Sequence, residues 1–296
     1  MPCPRKGILI AMLKSIPSEK LRYYAPVLVC LLSILILLFL PTGFEGATLY
    51  QEAERCSAKV LSVDNSTIID TGLVRSGEQR CELELVNGRF QGEVVTGINM
   101  LNGSLEQDKL FEVGDRALVV VSHDGDTITN VTMSDHDRLG WEAVMAIGFA
   151  LFLILFAGET GIRAIASFAL TVLTIWKVLV PMFLKGWNPI WVALIITLFL
   201  TLLIIALVYG FDHRCFAAVS GSFLGILVTC VLGVLFTNLF KIHGAVMSSS
   251  ESLLYSGYQH LNLTQIFMAS IFLGASGAVM DLSVDITSAV YEVVEK

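Results

Sequence analysis

From Ile190 to Tyr209 the chain runs for 20 residues without one charged side chain. At a helical rise of 1.5 Å that is about 30 Å, the thickness of a bilayer's hydrocarbon layer. A helix with no polar face cannot lie on the surface of a soluble domain. Five more apolar runs of similar kind lie near residues 24–40, 141–157, 163–184, 216–240 and 266–285. Composition agrees: 55% of the residues are hydrophobic and 15% charged, where soluble domains carry roughly 45–50% and about 25%. The expected fold is a membrane α-helical bundle of about six transmembrane helices.

The charges set the orientation. Arg5, Lys6, Lys14, Lys20 and Arg22 precede the first run and only Glu19 opposes them, so residues 1–23 should stay cytoplasmic. Threading six spans from there leaves Arg163, Arg214 and Lys296 inside, and Lys185 and Lys241 in the short outer loops. The reading is a multi-pass plasma-membrane protein whose run 24–40 is an uncleaved anchor. Glu45 stands where a signal-peptide cut before Ala47 would want a small residue.

The segment 42–138 differs in kind. It holds 17 Asp and Glu against 8 Lys and Arg. "CELELV" (81–86) alternates with period two, Asn87-Gly88 is a hairpin signal, and turns follow at Gly114-Asp115 and Asp124-Gly125. Five or more short strands in so few residues predict a small extracytoplasmic antiparallel β-barrel of the OB or barrel-sandwich kind. Cys56 and Cys81 fall in this exported part and form a candidate disulfide. No basic stripe exists to neutralise phosphates, so nucleic acid is excluded as a partner.

The polar residues of the membrane part are few. Lys177 lies in the third run, ~10 Å from its outer end, where a lysine can stretch to the interface. Asp281 and Asp285 stand one helical turn apart on the last run, and Asp281 is ~22 Å below the outer surface. A carboxylate at that depth is a functional-site hypothesis. The inner-end loops "GETGIR" and "GFDHRC" supply Glu159, Arg163 and Arg214 as its expected neighbours. Gly221 and Gly225, with Gly274 and Gly277, mark close helix packing between the fifth and sixth runs. The stretch 241–265 is long and partly amphipathic, as an interfacial segment would be.

No G-x-S-x-G, H-E-x-x-H or Walker glycine loop occurs. Membrane aspartyl proteases need carboxylates from two helices, whereas these two share one. The sequence therefore points away from an enzyme and calls for no metal or cofactor.

"KGWNP" (185–189) and "GASGAVMD" (274–281) resemble the YibE/F-like family of bacterial integral membrane proteins, the similarity running over most of residues 140–292. Gly277, Ala278, Val279, Met280 and Asp281 match its motif directly, while Asp285 stands where members carry a small or hydroxyl residue. The resemblance implies a multispanning protein and no particular reaction. Members of the family usually continue into further hydrophobic segments where this chain stops at Lys296, and in a short or split copy a partner chain would complete the site. The leading expectation is a permease-like protein moving a small solute or ion past Asp281. The alternative is a non-catalytic scaffold or sensor, forming a homo- or hetero-oligomer, that presents the β domain.

Overall fold

The computed structural model describes residues 18–44, 53–105, 107–247, 250, 258 and 260–295. The basic N-terminus up to Pro17, the junction around Ala47 and most of the expected interfacial stretch after Met247 lie outside the described residues. The chain forms two compact units, one built on the strands and the other on the helices.

The strands are β1 (Ala53–Asp64), β2 (Ile69–Asp70), β3 (Arg75–Leu85), β4 (Val94–Asn102), β5 (Arg116–Asp124) and β6 (Thr127–His136). Leaving aside the two-residue β2, five strands close into a barrel in the order β1-β3-β4-β6-β5-β1. That is the OB topology. The alternation seen in the sequence holds: Cys81, Leu83 and Leu85 point inward while Glu82 and Glu84 face out. Cys56, Ala58 and Val60 meet them from β1, and Ala117, Val119 and Val121 from β5.

Three expectations for the barrel are corrected. The sheet is not wholly antiparallel, because β4 and β6 run parallel and pair at Ile98 and Thr132. Asn87-Gly88 is not a two-residue hairpin but part of a longer loop. Leu85 N donates to Glu93 O, Asn87 Oδ1 accepts from Ser57 N at 2.7 Å, and Phe90 turns inward to plug the barrel, 7% exposed. Burying that ring outweighs the local preference for a tight turn. Lastly, Cys56 and Cys81 are both free and buried. Cys81 sits opposite Val63, seven positions along β1 from Cys56, and ~23 Å of strand is far beyond disulfide reach.

The helices are α1 (Ser18–Phe39), α2 (Leu139–Ala157), α3 (Glu159–Thr174), α4 (Val180–Leu184), α5 (Pro189–Tyr209), α6 (His213–Leu239) and α7 (Leu263–Glu295). Counting α3 through α4 as one, five among the described residues are long and apolar enough to cross a membrane. The apolar part of α1, Tyr24–Phe39, is shorter than that. A π-helical turn, Ile175–Leu179, joins α3 to α4. In an α-helix the carbonyl of residue 177 would accept from the N–H of residue 181, which is a proline and has none. The wider turn avoids the clash, with Val180 N reaching back to Ile175 O.

α5 is the centre of the helical unit, packed by α1, α3, α6 and α7. Pro189 opens it, with Asn188 Oδ1 accepting from Ile190 N, and Gly210 at φ 72° closes it. A proline in the first turn and a left-handed glycine just past the last fix both ends. Twelve of its residues are buried, which is why it is apolar all round.

Candidate functional site

α6 and α7 run antiparallel in close contact. A Cβ built on Gly221 would stand 3.5 Å from Ser283 Oγ, one on Gly225 2.6 Å from Val279 Cγ1, and one on Gly233 3.7 Å from Ile271 Cγ2. The two glycines expected on α6 thus let α7 approach. Gly274 and Gly277, expected to do the same from α7, do not: a Cβ on either meets nothing within 4 Å. The contacting face of α7 is instead Met268, Ala269, Phe272 and Met280, with Val279 and Ser283.

The opposite face of α7 carries Ser270, Gly274, Gly277, Asp281 and Asp285, spaced by three and four residues and all exposed. Its depth follows from Tyr209, the last residue of α5. The Tyr209 hydroxyl donates to Val284 O at 2.7 Å and lies 2.6 Å from Ser288 Oγ. Asp285 is therefore level with the end of α5, and Asp281 one turn further in, ~6 Å. Neither carboxylate has an ion-pair or hydrogen-bond partner among the described residues. Glu159, Arg163 and Arg214, expected as neighbours of Asp281, do not reach it, and it stands exposed on the bundle. Met280, one residue before it, takes the inward place.

The expected cationic neighbours are engaged elsewhere. Arg163, 8% exposed, donates through Nη2 to Glu159 Oε1 at 2.8 Å and through Nη1 to Leu207 O at 3.2 Å. Leu207 belongs to the last turn of α5, whose carbonyls have no partner within the helix. Arg163 is thus a cap supplied from another helix, its charge placed at the negative end of the α5 dipole. Lys177 does the equivalent for α1: its Nζ donates to Leu40 O at 3.3 Å, just past the last turn of that helix. Arg214 lies with its guanidinium carbon 3.1 Å from the centroid of the Tyr291 ring, and its Nε is 3.9 Å from Asp212 Oδ2.

The six polar residues singled out in the sequence therefore form one pair at the α5 end, one cap on α1, one stacked arginine and one acidic face. They do not converge on a common centre. The sequence carried no sign of Tyr209 as the clasp between α5 and α7, nor of the two cross-helix caps, because each joins residues far apart in the chain.

Many hydroxyls in the bundle donate to a carbonyl three or four residues back in their own helix, as Thr174 does to Leu170 O and Thr229 to Gly225 O. Thr197 and Thr201 on α5 and Ser222 on α6 are buried and have no partner among the described residues. With Arg214 Nε, they are the buried side-chain groups of the helical unit still able to take a bond among the described residues.

The β unit has its own polar centre. Gln79, fully buried, accepts at Oε1 from Phe111 N and Asn99 Nδ2, and donates from Nε2 to Phe111 O and Asn65 Oδ1. Asn99 also donates to Lys109 O. This network ties the loop between β4 and β5 to the barrel wall.

Helices of this length and apolarity, with carboxylates on an uncovered helix face and an OB barrel between the first two helical segments, define a multispanning membrane protein. The family model described as YibE/F-like protein matches residues 145–296, and the chain belongs to that family. The match covers α3 to α7 entirely and so includes every residue of the polar face. No curated protein and no solved structure matches the chain.

Proposed function

We propose that this protein is a permease-like subunit of the plasma membrane, in which a small solute or ion moves along a path between α7 and a second membrane chain. The observation that carries this reading is the placement of Asp281. A carboxylate one turn inside the end of α5, on a face lined with glycine, is costly against lipid and is stabilised once a partner or water covers it. The glycines would let the second helix approach closely, leaving the carboxylates as the polar lining. In this reading the N-terminus is cytoplasmic, the barrel is extracytoplasmic, and the host is bacterial. The protein performs no chemistry of its own, uses no cofactor, and binds no nucleic acid.

The test is solute and ion flux into liposomes containing the purified protein and its co-purified partners. Asp281→Asn should abolish flux while expression and assembly stay normal, and flux unchanged in that variant would end the proposal. A second reading, a non-catalytic scaffold or sensor, draws on the same uncovered face used for assembly alone. It predicts no flux in any preparation, together with loss of a partner chain when Gly277 is enlarged.

A further inference from the structure

Every strand of the barrel ends at one of two rims. β1, β4 and β6 run one way and β3 and β5 the other. The ends of β1, β4 and β6 therefore share a rim with the starts of β3 and β5. That rim carries the β1–β3 connection, the β4–β5 loop and the exit to α2.

The exit has almost no slack. Asp137 N donates to Arg116 O, continuing the β5–β6 ladder past His136, and Glu142 N already donates to Arg138 O in the first turn of α2. Two residues separate strand from helix, a reach of ~7 Å. α2 has no buried residue and a mean hydropathy of 2.2, so where it enters the bilayer this rim must follow.

The β4–β5 loop is fastened beside the exit. Lys109 pairs with Asp135, His136 Nδ1 lies 3.8 Å from Asp115, and the Phe111 and His136 rings are 4.5 Å apart. The tips of this rim are apolar and bare. Leu73 is 82% exposed, Leu105 79% and Ile69 65%. Leu73 and Leu105 line the same groove of about 240 Å³, with Val74, Leu101 and Leu110 and the polar Arg75, Ser104 and Asp108, so the two leucines stand near each other on the rim.

Several charges of the rim are tied up locally. Asp70 holds Arg75 at 2.9 Å, Asp135 holds Lys109 and also Arg138, and Asp108 accepts from Asn102 N and Ser104 N. The tips of the other rim, Arg89, Gly92 and Asp126, are polar, and its bulky ring, Phe90, is turned inward.

We infer that the rim bearing Leu73 and Leu105 is a lipid-contact surface, its leucines lying in the headgroup–acyl boundary of the membrane that α2 enters. The partner is the bilayer itself, held by apolar burial. Arg75, Lys109 and Arg138 are already paired and only Arg116 on this rim lacks an ion pair among the described residues, so anionic lipid is not required and added salt should not release it. This does not rest on the transport reading and holds for a scaffold as well.

The experiment uses the full chain in phosphatidylcholine nanodiscs, with Cys3→Ser as background. Leu73→Cys, Leu105→Cys and, on the other rim, Asp126→Cys are each labelled with a small fluorophore. Doxyl-labelled lipid should quench positions 73 and 105 at least twofold more than 126, and aqueous iodide should show the reverse order. Iodide reaching 73 and 105 as readily as 126 would overturn the inference. So would shielding of both from iodide without lipid quenching, which would assign the rim to a protein partner.

Discussion

Gly225 of α6 lies under Val279 of α7 so closely that a Cβ on the glycine would stand 2.6 Å from Val279 Cγ1. Valine on a helix is held near one χ1 rotamer and cannot swing clear. Gly225→Leu should therefore force α6 and α7 apart, at a cost of about 1–3 kcal/mol or more, read as a lowered unfolding temperature in detergent. A Cβ on Gly277 meets nothing within 4 Å, so Gly277→Leu should leave that temperature nearly unchanged. If the polar face of α7 is covered by a second chain, Gly277→Leu should instead reduce co-purification of that chain.

Arg163→Met removes a cap from α5. Leu207 O loses its donor while Glu159, the other partner, remains half in solvent. The expected loss is about 1–3 kcal/mol, localised to one helix end. Hydrogen exchange should accelerate at the final turn of α5 and stay slow at its centre, near Thr201.

Gln79→Leu deletes four hydrogen bonds at the barrel's polar centre, strands Phe111 N and leaves the Asn99 amide only its bond to Lys109 O. A cost of roughly 3 kcal/mol is expected. The loop carrying Phe111 should become the first site of limited proteolysis, whereas in the parent chain it should resist.

The barrel thiols give a pH dependence with a definite sign. Burial pushes Cys81 up from 9.0 to about 11, and burial followed by the nearby Glu54 carboxylate raises Cys56. Raised folded values mean that the protonated thiols favour the folded state fully below about pH 9. That contribution drains away as pH climbs toward 11. Barrel unfolding monitored at pH 8, 9, 10 and 11 should show stability falling across the upper interval. At pH 8 a maleimide should leave both thiols unlabelled until denaturant is added, and non-reducing electrophoresis should show no bridge between them.

The helical spans and the barrel were legible because each rests on a periodic signal: unbroken apolar runs near bilayer length, and period-two alternation with turn residues between. The close approach of α6 to α7 was half legible. Glycine announces that something comes near but not from which side, so Gly221 and Gly225 were placed and Gly274 and Gly277 were put on the wrong face. Asn87-Gly88 misled for a related reason, since the signal for a tight turn is local and the burial of Phe90 is not. The polar site was the least legible. Charge counting brings Arg163, Lys177 and Asp281 into one membrane, but orphaned helix-end carbonyls, invisible in a list of side chains, hold Arg163 and Lys177 away from Asp281.

The two caps also order events during synthesis. Lys177 finds Leu40 O in a segment already made, so its charge can be settled as soon as α3 and α4 form. Arg163 must wait for Leu207, 44 residues later. Until α5 emerges, α3 is a half-finished strut, and a ribosome stalled between the two would leave a nascent chain with a guanidinium lacking its helix-end carbonyl.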